Sequence, residues 1–397
     1  MQLVEQGAVD LDAPASRYAP GYDVPDEVTV RSLLNQTSGF GAYDSLAEAA
    51  DGELGETFGA FSYANANYDL LGRVVEGASG EDYARYLDEH VLEPLGMAST
   101  TADPARAEAL GMVPGHRDWF GLPVADGFRH AQGDGAWGGP ASGYVASSVR
   151  DMASYLRMYL NGGMGGDGAR VLSADSVRRM FLDRVPDPEG DTYYGMGWTS
   201  FSWDDGELVL SHDGQVENYT ASMCLLPERG IGIVALSDAN DNAGGNIRFF
   251  DLVGGVVSVA IGGTGQPMDD AWTWAWRQRV DVLYASALLL AVSPLLLTGR
   301  WRRRLSAACR GGVAPIVRAR SLRMLLVRGV LLHVALPACI LALPFVWGVP
   351  WRDLLTFSPD VSTVLLASAG LLVVAGAVRL AAAVTLRNDE PPPSIMR

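Results

Sequence analysis

Three apolar runs near the C-terminus constrain this chain most strongly. They lie at about 282–298, 329–349 and 361–378. Each approaches the ~20 residues that a membrane-spanning helix needs. Burying all three in a water-soluble core would leave almost no polar surface to face solvent. Residues 282–386 are therefore expected to form three transmembrane helices, with a tail at 387–397. Pro337, Pro344 and His333 interrupt the second run. A transporter needs more intramembrane polar groups and more helices than this. The region reads as an anchor, with a signalling or partner-binding role as the alternative.

The loops between the runs suggest an orientation. The segment RWRRRLSAACRGGVAPIVRARSLR carries eight arginines and no acid, whereas PWRDLLTFSPD carries one arginine and two aspartates. The positive-inside rule places the loop 300–323 and the C-terminus in the cytoplasm, and residues 1–276 outside the cell. Arg328 and Arg379 are expected to snorkel at the cytoplasmic ends of their spans. The aromatic run WTWAW at 272–276 reads as a belt at the outer interface, within a linker and interfacial segment at 263–281.

Composition changes at the same boundary. Residues 1–276 carry a net charge of −26 and residues 277–397 a net charge of +10. All 30 basic residues are arginine, and no lysine occurs. A GC-rich genome or a high-salt habitat accounts for that usage. So acidic a front argues against nucleic acid as a partner. The partners to expect are a small-molecule or peptide substrate and membrane lipid. Cys224, Cys309 and Cys339 suggest no disulfide framework. The five histidines include no HExxH and no Cys/His cluster, so neither a metal nor a cofactor is expected.

The front, residues 1–262, reads as an α+β domain. Residues 63–165 are mostly helical in pattern: NYDLLGRVVEGASG, GEDYARYLDEHVLEPLGM and SSVRDMASYLRMYLNGG place apolar residues at helical spacing. Ser148 is expected to cap the last of these. From 195 to 238 the pattern turns to short strands, with DDG and PERG as hairpin turns. A helix at about 246–261 is expected to pack on the resulting antiparallel sheet.

Several stretches, taken in order, resemble one family. They are LVEQGAVDLDAP, VTVRSLLNQTSGF, FSYANANYDLLGRVVEGASG, VLEPLGM, ASGYVASSVRDMASYL, YGMGW and SHDGQVENYTASMCLLPERGIGIVALSD. Their order and spacing resemble the serine β-lactamase-like hydrolases, which include class C β-lactamases, DD-peptidases and related esterases. The resemblance covers about residues 1–262. It implies a sheet with a helical subdomain and a cleft between them holding three motifs. Y-x-N is matched by Tyr63-Ala64-Asn65, and K-T-G or H-x-G by His212-Asp213-Gly214. The third motif, S-x-x-K, supplies the nucleophile.

The chemistry explains the residue types. A serine hydroxyl is a poor nucleophile until a base takes its proton. Tyr63 can relay that proton if cationic neighbours lower its pKa. Asn65 can donate to a substrate carbonyl, and His212 can orient Tyr63 or a substrate carboxylate. Gly214 lets substrate approach the strand, and the Gln215 N–H is implied as half of an oxyanion hole. Asp213 is expected to bring negative charge to the cleft, which disfavours a penicillin-like substrate. Tyr159-Leu160-Asn161 also matches Y-x-N, but at a helix end, where a packing role is expected.

S-x-x-K cannot occur in a lysine-free sequence, and there is no G-x-S-x-G elbow. Residues 1–7 read as the tail of a helix, without the basic and apolar regions of an export signal. The expectation is that a signal, the first strands and the nucleophile helix belong upstream, lost through a misplaced start codon or a truncated gene. The chain as given is then inactive. The alternatives are a non-catalytic module that binds cell-wall peptide or a partner, and a membrane scaffold with a vestigial outer domain.

Overall fold

Gly7, at φ +71°, ends a short first helix, Gln2–Glu5. The computed structural model describes residues 1–127, 133–203, 206–242, 245–265, 270–309 and 315–388. The chain divides into two units: residues 1–117 with 123–268, and residues 118–122 with 269–397.

In the first unit, six strands form an antiparallel sheet among the described residues, in the order Val185–Pro186, Tyr193–Gly195, Trp198–Ser202, Leu208–Val216, Tyr219–Leu226 and Ile231–Ser237. Sequence order and spatial order coincide because each strand returns through a short turn. PERG makes one such turn, with Gly230 at φ +66°. Asp204 and Asp205 of the expected DDG turn lie outside the described residues. Alternation along the strands divides the core in two. Leu210 and Leu225 face the helix Val149–Leu160 side, packed with Leu156, Tyr159 and Trp198. Val209, Cys224 and Leu226 face the helix Gly245–Ala260 through Val253 and Val257. That helix starts one residue earlier than its pattern suggested.

The helix Asn65–Ser79 carries the third cluster. Its Ala66, Leu70 and Val74 pack with Leu33, Val28 and Leu46, all buried. Gly80, left-handed at φ +75°, ends it by donating its N–H to the Glu76 carbonyl. Ser148 caps the helix Val149–Leu160, its hydroxyl accepting from the Asp151 N–H at 3.2 Å.

The region 63–165 is less helical than its periodicity suggests. Strands Gly115–Trp119 and Leu122–Gly127 form a hairpin, and the first pairs in parallel with Ala239–Asn240. Phe120 and Gly121 both take positive φ, 55° and 87°, the backbone that a two-residue hairpin turn requires. Phe120 in that conformation is what the sequence pattern conceals.

Among the described residues, the second unit holds three helices long and apolar enough to cross a membrane: Arg279–Leu296, Ala319–Leu341 and Pro359–Thr385. This composition suggests membrane association. The second lies about ten residues earlier than expected. Its helix starts at Pro315 and carries Arg320, Arg323 and Arg328, while a break at Ala342 separates Leu343–Trp347, where Pro344 opens a new turn. The arginine-rich segment is helical where it is described, at Thr298–Cys309 and Pro315–Val330. The side chains of Trp272, Trp274 and Trp276 lie outside the described residues, as does the tail beyond 388. Arg379 lies at a meeting point of these helices. Its guanidinium donates to His333 Nε2 at 3.2 Å and to the Pro294 carbonyl at 2.9 Å, which joins all three helices.

Candidate active site

A buried polar run, Asn35 to Ser38, organises the site. It follows the short helix Val30–Leu34, capped by Thr29. Gln36 is fully buried with φ 59°. Its Oε1 accepts from the Ala64 N–H at 3.0 Å and from the Asn67 side-chain amide, while its backbone carbonyl accepts from the Ser62 N–H at 2.9 Å. Ala64 is the N-cap of the helix Asn65–Ser79 and has no capping side chain, so Gln36 takes the place of a cap. Tyr63 and Asn65 flank that anchored residue.

The same run holds the turn before the inner strands. The Met196 N–H donates to the Leu34 carbonyl at 3.0 Å and to Asn35 Oδ1 at 3.2 Å. Met196 and Gly197 both adopt positive φ, 49° and 91°. This presents the Gly197 carbonyl to His212 Nδ1 at 2.7 Å. A carbonyl only accepts, so Nδ1 carries the proton and the Nε2 lone pair is available to a ligand.

Tyr63 and His212 are 149 positions apart, yet their ring centroids are 6.4 Å apart. Tyr194 completes a trio of rings, 5.9 Å from Tyr63 and 6.3 Å from His212. Tyr63 is 40% exposed, whereas Tyr194 is buried. Asn65 begins the helix, with its amide nitrogen beside the loop at Gly138. A Cβ on Gly138 would come within 3.4 Å of it, and the φ of +80° there also favours glycine.

His212 lies on the longest strand, and pairing with Trp198–Ser202 stops at Ser211. Residues 212–216 therefore have no strand partner on that side among the described residues. An extended ligand can add to such an edge. A Cβ at Gly214 would meet only the Ala221 Cβ, at 3.7 Å, so the fold itself does not demand glycine there. Asp213 is not where its position beside His212 suggested. Strand alternation turns it to the other face, where it accepts from the Ser222 hydroxyl at 2.6 Å. The Gln215 side chain lies on that face too, accepting from the Asn246 amide at 2.8 Å. Tyr159, the second Y-x-N tyrosine, is buried against Trp198 and bonded to the Tyr155 hydroxyl at 3.0 Å, a packing role.

Electrostatics define what these groups can do. Burial pushes the Tyr63 pKa up, and the Asp69 charge pushes it further the same way. Tyr63 is thus a neutral phenol and a hydrogen-bond donor. The cationic neighbours expected to lower its pKa are replaced by a carboxylate. Burial pushes the His212 pKa down, against the opposing pull of the Gly197 carbonyl and Asp213. His212 is neutral at pH 7. An NMR titration of its ring should show a midpoint below 6.5; a midpoint above it would contradict the buried geometry. The unfolded chain takes up this proton before the folded one does. The stabilisation is complete above pH 6.5 and is lost as pH falls through the lowered folded value.

Glu81, Glu89 and His90 bring three potential metal ligands within 4.8 Å of one another. Glu89 is already paired with Arg85 at 2.8 Å, and the group includes none of the residues above.

The family profile described as Beta-lactamase matches residues 1–251, more than half of the chain. The chain belongs to the beta-lactamase family. Curated relatives include Protein flp of Staphylococcus aureus (strain MW2), 25% identical over 60% of this chain and 50% of that protein. Penicillin-binding protein 4 of Amycolatopsis lactamdurans is 28% identical over 59% of this chain and 66% of its own length. The chain thus spans about half to two thirds of these relatives. A penicillin-binding protein homologue from Pyrococcus abyssi shares the fold with a TM-score of 0.53 at 24% identity, covering 67% of this chain and 63% of that one. A class C beta lactamase from Rhodobacter sphaeroides does so with a TM-score of 0.51 at 21% identity, covering 64% and 80%. The beta-lactamase family is one of serine hydrolases, so the antiparallel sheet and the helices beside it belong to a known catalytic architecture.

Sequence reasoning missed Gln36, Gly197, Tyr194 and Gly138. The stretches NQTSGF and YGMGW were visible as family resemblances. Their roles depend on backbone angles and partners that no local pattern reports.

Proposed function

We propose that this chain belongs to a membrane-anchored serine hydrolase that acts outside the cytoplasm on an amide or ester, such as a cell-wall peptide or a small ester. The observation that carries this reading is the 6.4 Å approach of Tyr63 and His212 beside an open strand edge. In it, Tyr63 donates to the leaving group or to His212 Nε2, and Asn65 donates to a substrate carbonyl. The edge at Gly214 and Gln215 receives the substrate backbone. The arginine-rich segment is cytoplasmic, which puts residues 1–276 outside. The nucleophile and its lysine come from an S-x-x-K segment that the lysine-free residues 1–397 do not include.

The test joins an S-x-x-K-bearing segment ahead of Met1 and follows acylation by a fluorophosphonate. Labelling should occur, and His212→Ala should slow it by ~10²-fold or more, the usual contribution of a group handling the reacting proton. Gly214→Ala should slow it as well, with the melting transition nearly unchanged. Unaltered rates in both variants would overturn the site assignment. Failure of the extended protein to label, with intact binding of acyl-peptide, would favour the alternative reading, a non-catalytic cell-wall-peptide binder.

A further inference from the structure

One turn along the helix from Asn65, a cavity of about 150 Å³ opens between that helix and the loop 133–141. Leu46, Tyr83, Ala84, Pro140 and Ala141 give it an apolar wall. Asp69, Glu76, Asp82, Asp134 and Arg73 also line it, for a formal charge of −3.

Most of these charges are already engaged. Arg73 bridges Glu76 and Asp134, each at 2.8 Å. The Tyr22 hydroxyl donates to Asp134 at 2.7 Å, and Asp82 caps the next helix by accepting from the Ala84 N–H at 3.0 Å. Asp69 differs. The donors facing its carboxylate are neutral, the Ser142 hydroxyl and the Gly139 N–H, while Arg73 and Asp134 act on it through their charges, in opposite senses. A Cβ on Gly139 would come within 2.9 Å of Asp69 Oδ1, so the loop glycine is what admits the carboxylate.

We propose that this cavity is a recognition site for a primary ammonium on a short alkyl arm, with Asp69 as its counter-ion. An ammonium has three donors and unit charge, which complete a half-buried carboxylate whose hydrogen-bond donors are neutral. The volume accommodates a chain of a few carbons against Leu46, Tyr83 and Pro140. Asn65 and Asp69 are four residues apart, roughly 6 Å along the helix axis. A molecule whose carbonyl meets Asn65 thus places an amine at that distance within reach of Asp69. This is a selectivity for substrates that carry an amino group, and it rests on the proposed hydrolase reading only for its biological use. Binding at the cavity is independent of acyl chemistry.

The test uses the full chain in nanodiscs, with n-butylamine as the probe and n-butanol as its neutral isostere, read by calorimetry. Saturable binding of n-butylammonium is expected at pH 7.5, with none of n-butanol. Burial raises the Asp69 pKa to about 6. Lowering the pH to 5 should therefore weaken binding about tenfold, the fall in the ionised fraction. Asp69→Asn should remove the interaction and its pH dependence. Equal binding of alcohol and amine, or undiminished amine binding by Asp69→Asn with a retained fold, would overturn the proposal. The alcohol comparison uses the unaltered protein and stands even if the variant does not fold. Because only binding is read, failure here and failure of the hydrolase reading are separate outcomes.

Discussion

Residues 1–397, incubated with a fluorophosphonate or a β-lactam probe, should acquire no covalent label. The groups that the structure brings together, Tyr63 and His212, can donate, accept and orient. None of them forms a stable acyl-enzyme. Tyr63 is a neutral phenol, held so by burial and by Asp69. His212 commits Nδ1 to the Gly197 carbonyl. Losing the nucleophile of an acyl-transfer site removes about 10⁶ in turnover and leaves only binding and oxyanion terms. Intact-mass spectrometry after an overnight incubation checks the outcome. Stoichiometric labelling would sink the assignment and would require a serine within reach of His212 Nε2 in place of the S-x-x-K element.

The second large effect should come from Gln36→Ala. The truncation leaves the Ala64 N–H without its acceptor and the Asn67 amide with only the Ala64 carbonyl, at 3.3 Å, both in a fully buried setting. A buried donor left unsatisfied costs about 1–3 kcal/mol, and the emptied side-chain volume adds to that. The expected loss is therefore roughly 2–5 kcal/mol. Hydrogen exchange at the start of the helix Asn65–Ser79 should report it first, because that turn loses the acceptor that stands in for a cap. Gln36→Gly should be milder than Gln36→Ala by about 1 kcal/mol, since φ 59° is strained for any residue with a Cβ. If the alanine variant exchanges at the unaltered rate, Gln36 does not hold the Tyr63–Asn65 turn. If the two variants behave alike, backbone strain at 36 is negligible.

The hydrophobic pattern by itself determined much of this protein. Period-2 alternation in LVLSH and NYTASMCLL, and helical spacing in NYDLLGRVVEG, report which face each element buries, because burial of a continuous apolar face is a local property of the chain. The three apolar runs were legible for the same reason, as was the change in charge near residue 276. The motif residues Tyr63, Asn65 and His212 could be named from order and spacing.

Tertiary structure alone decided how those residues meet. The approach of Tyr63 to His212 depends on Gln36 in a left-handed conformation and on the Met196-Gly197 turn, and neither has a periodic signature. Asp213 shows the same limit from the other side. Its sequence position beside His212 suggested a charged cleft, yet strand alternation and the Ser222 hydroxyl turn it to the opposite face. Arg379 reads in one dimension as a charge near a helix end, and in three its guanidinium donates to His333 and the Pro294 carbonyl. In each case the deciding interaction is a directional hydrogen bond to a group on another element. Hydrophobic periodicity carries no information about such partners, because it reports how much of a residue is buried and not what it touches.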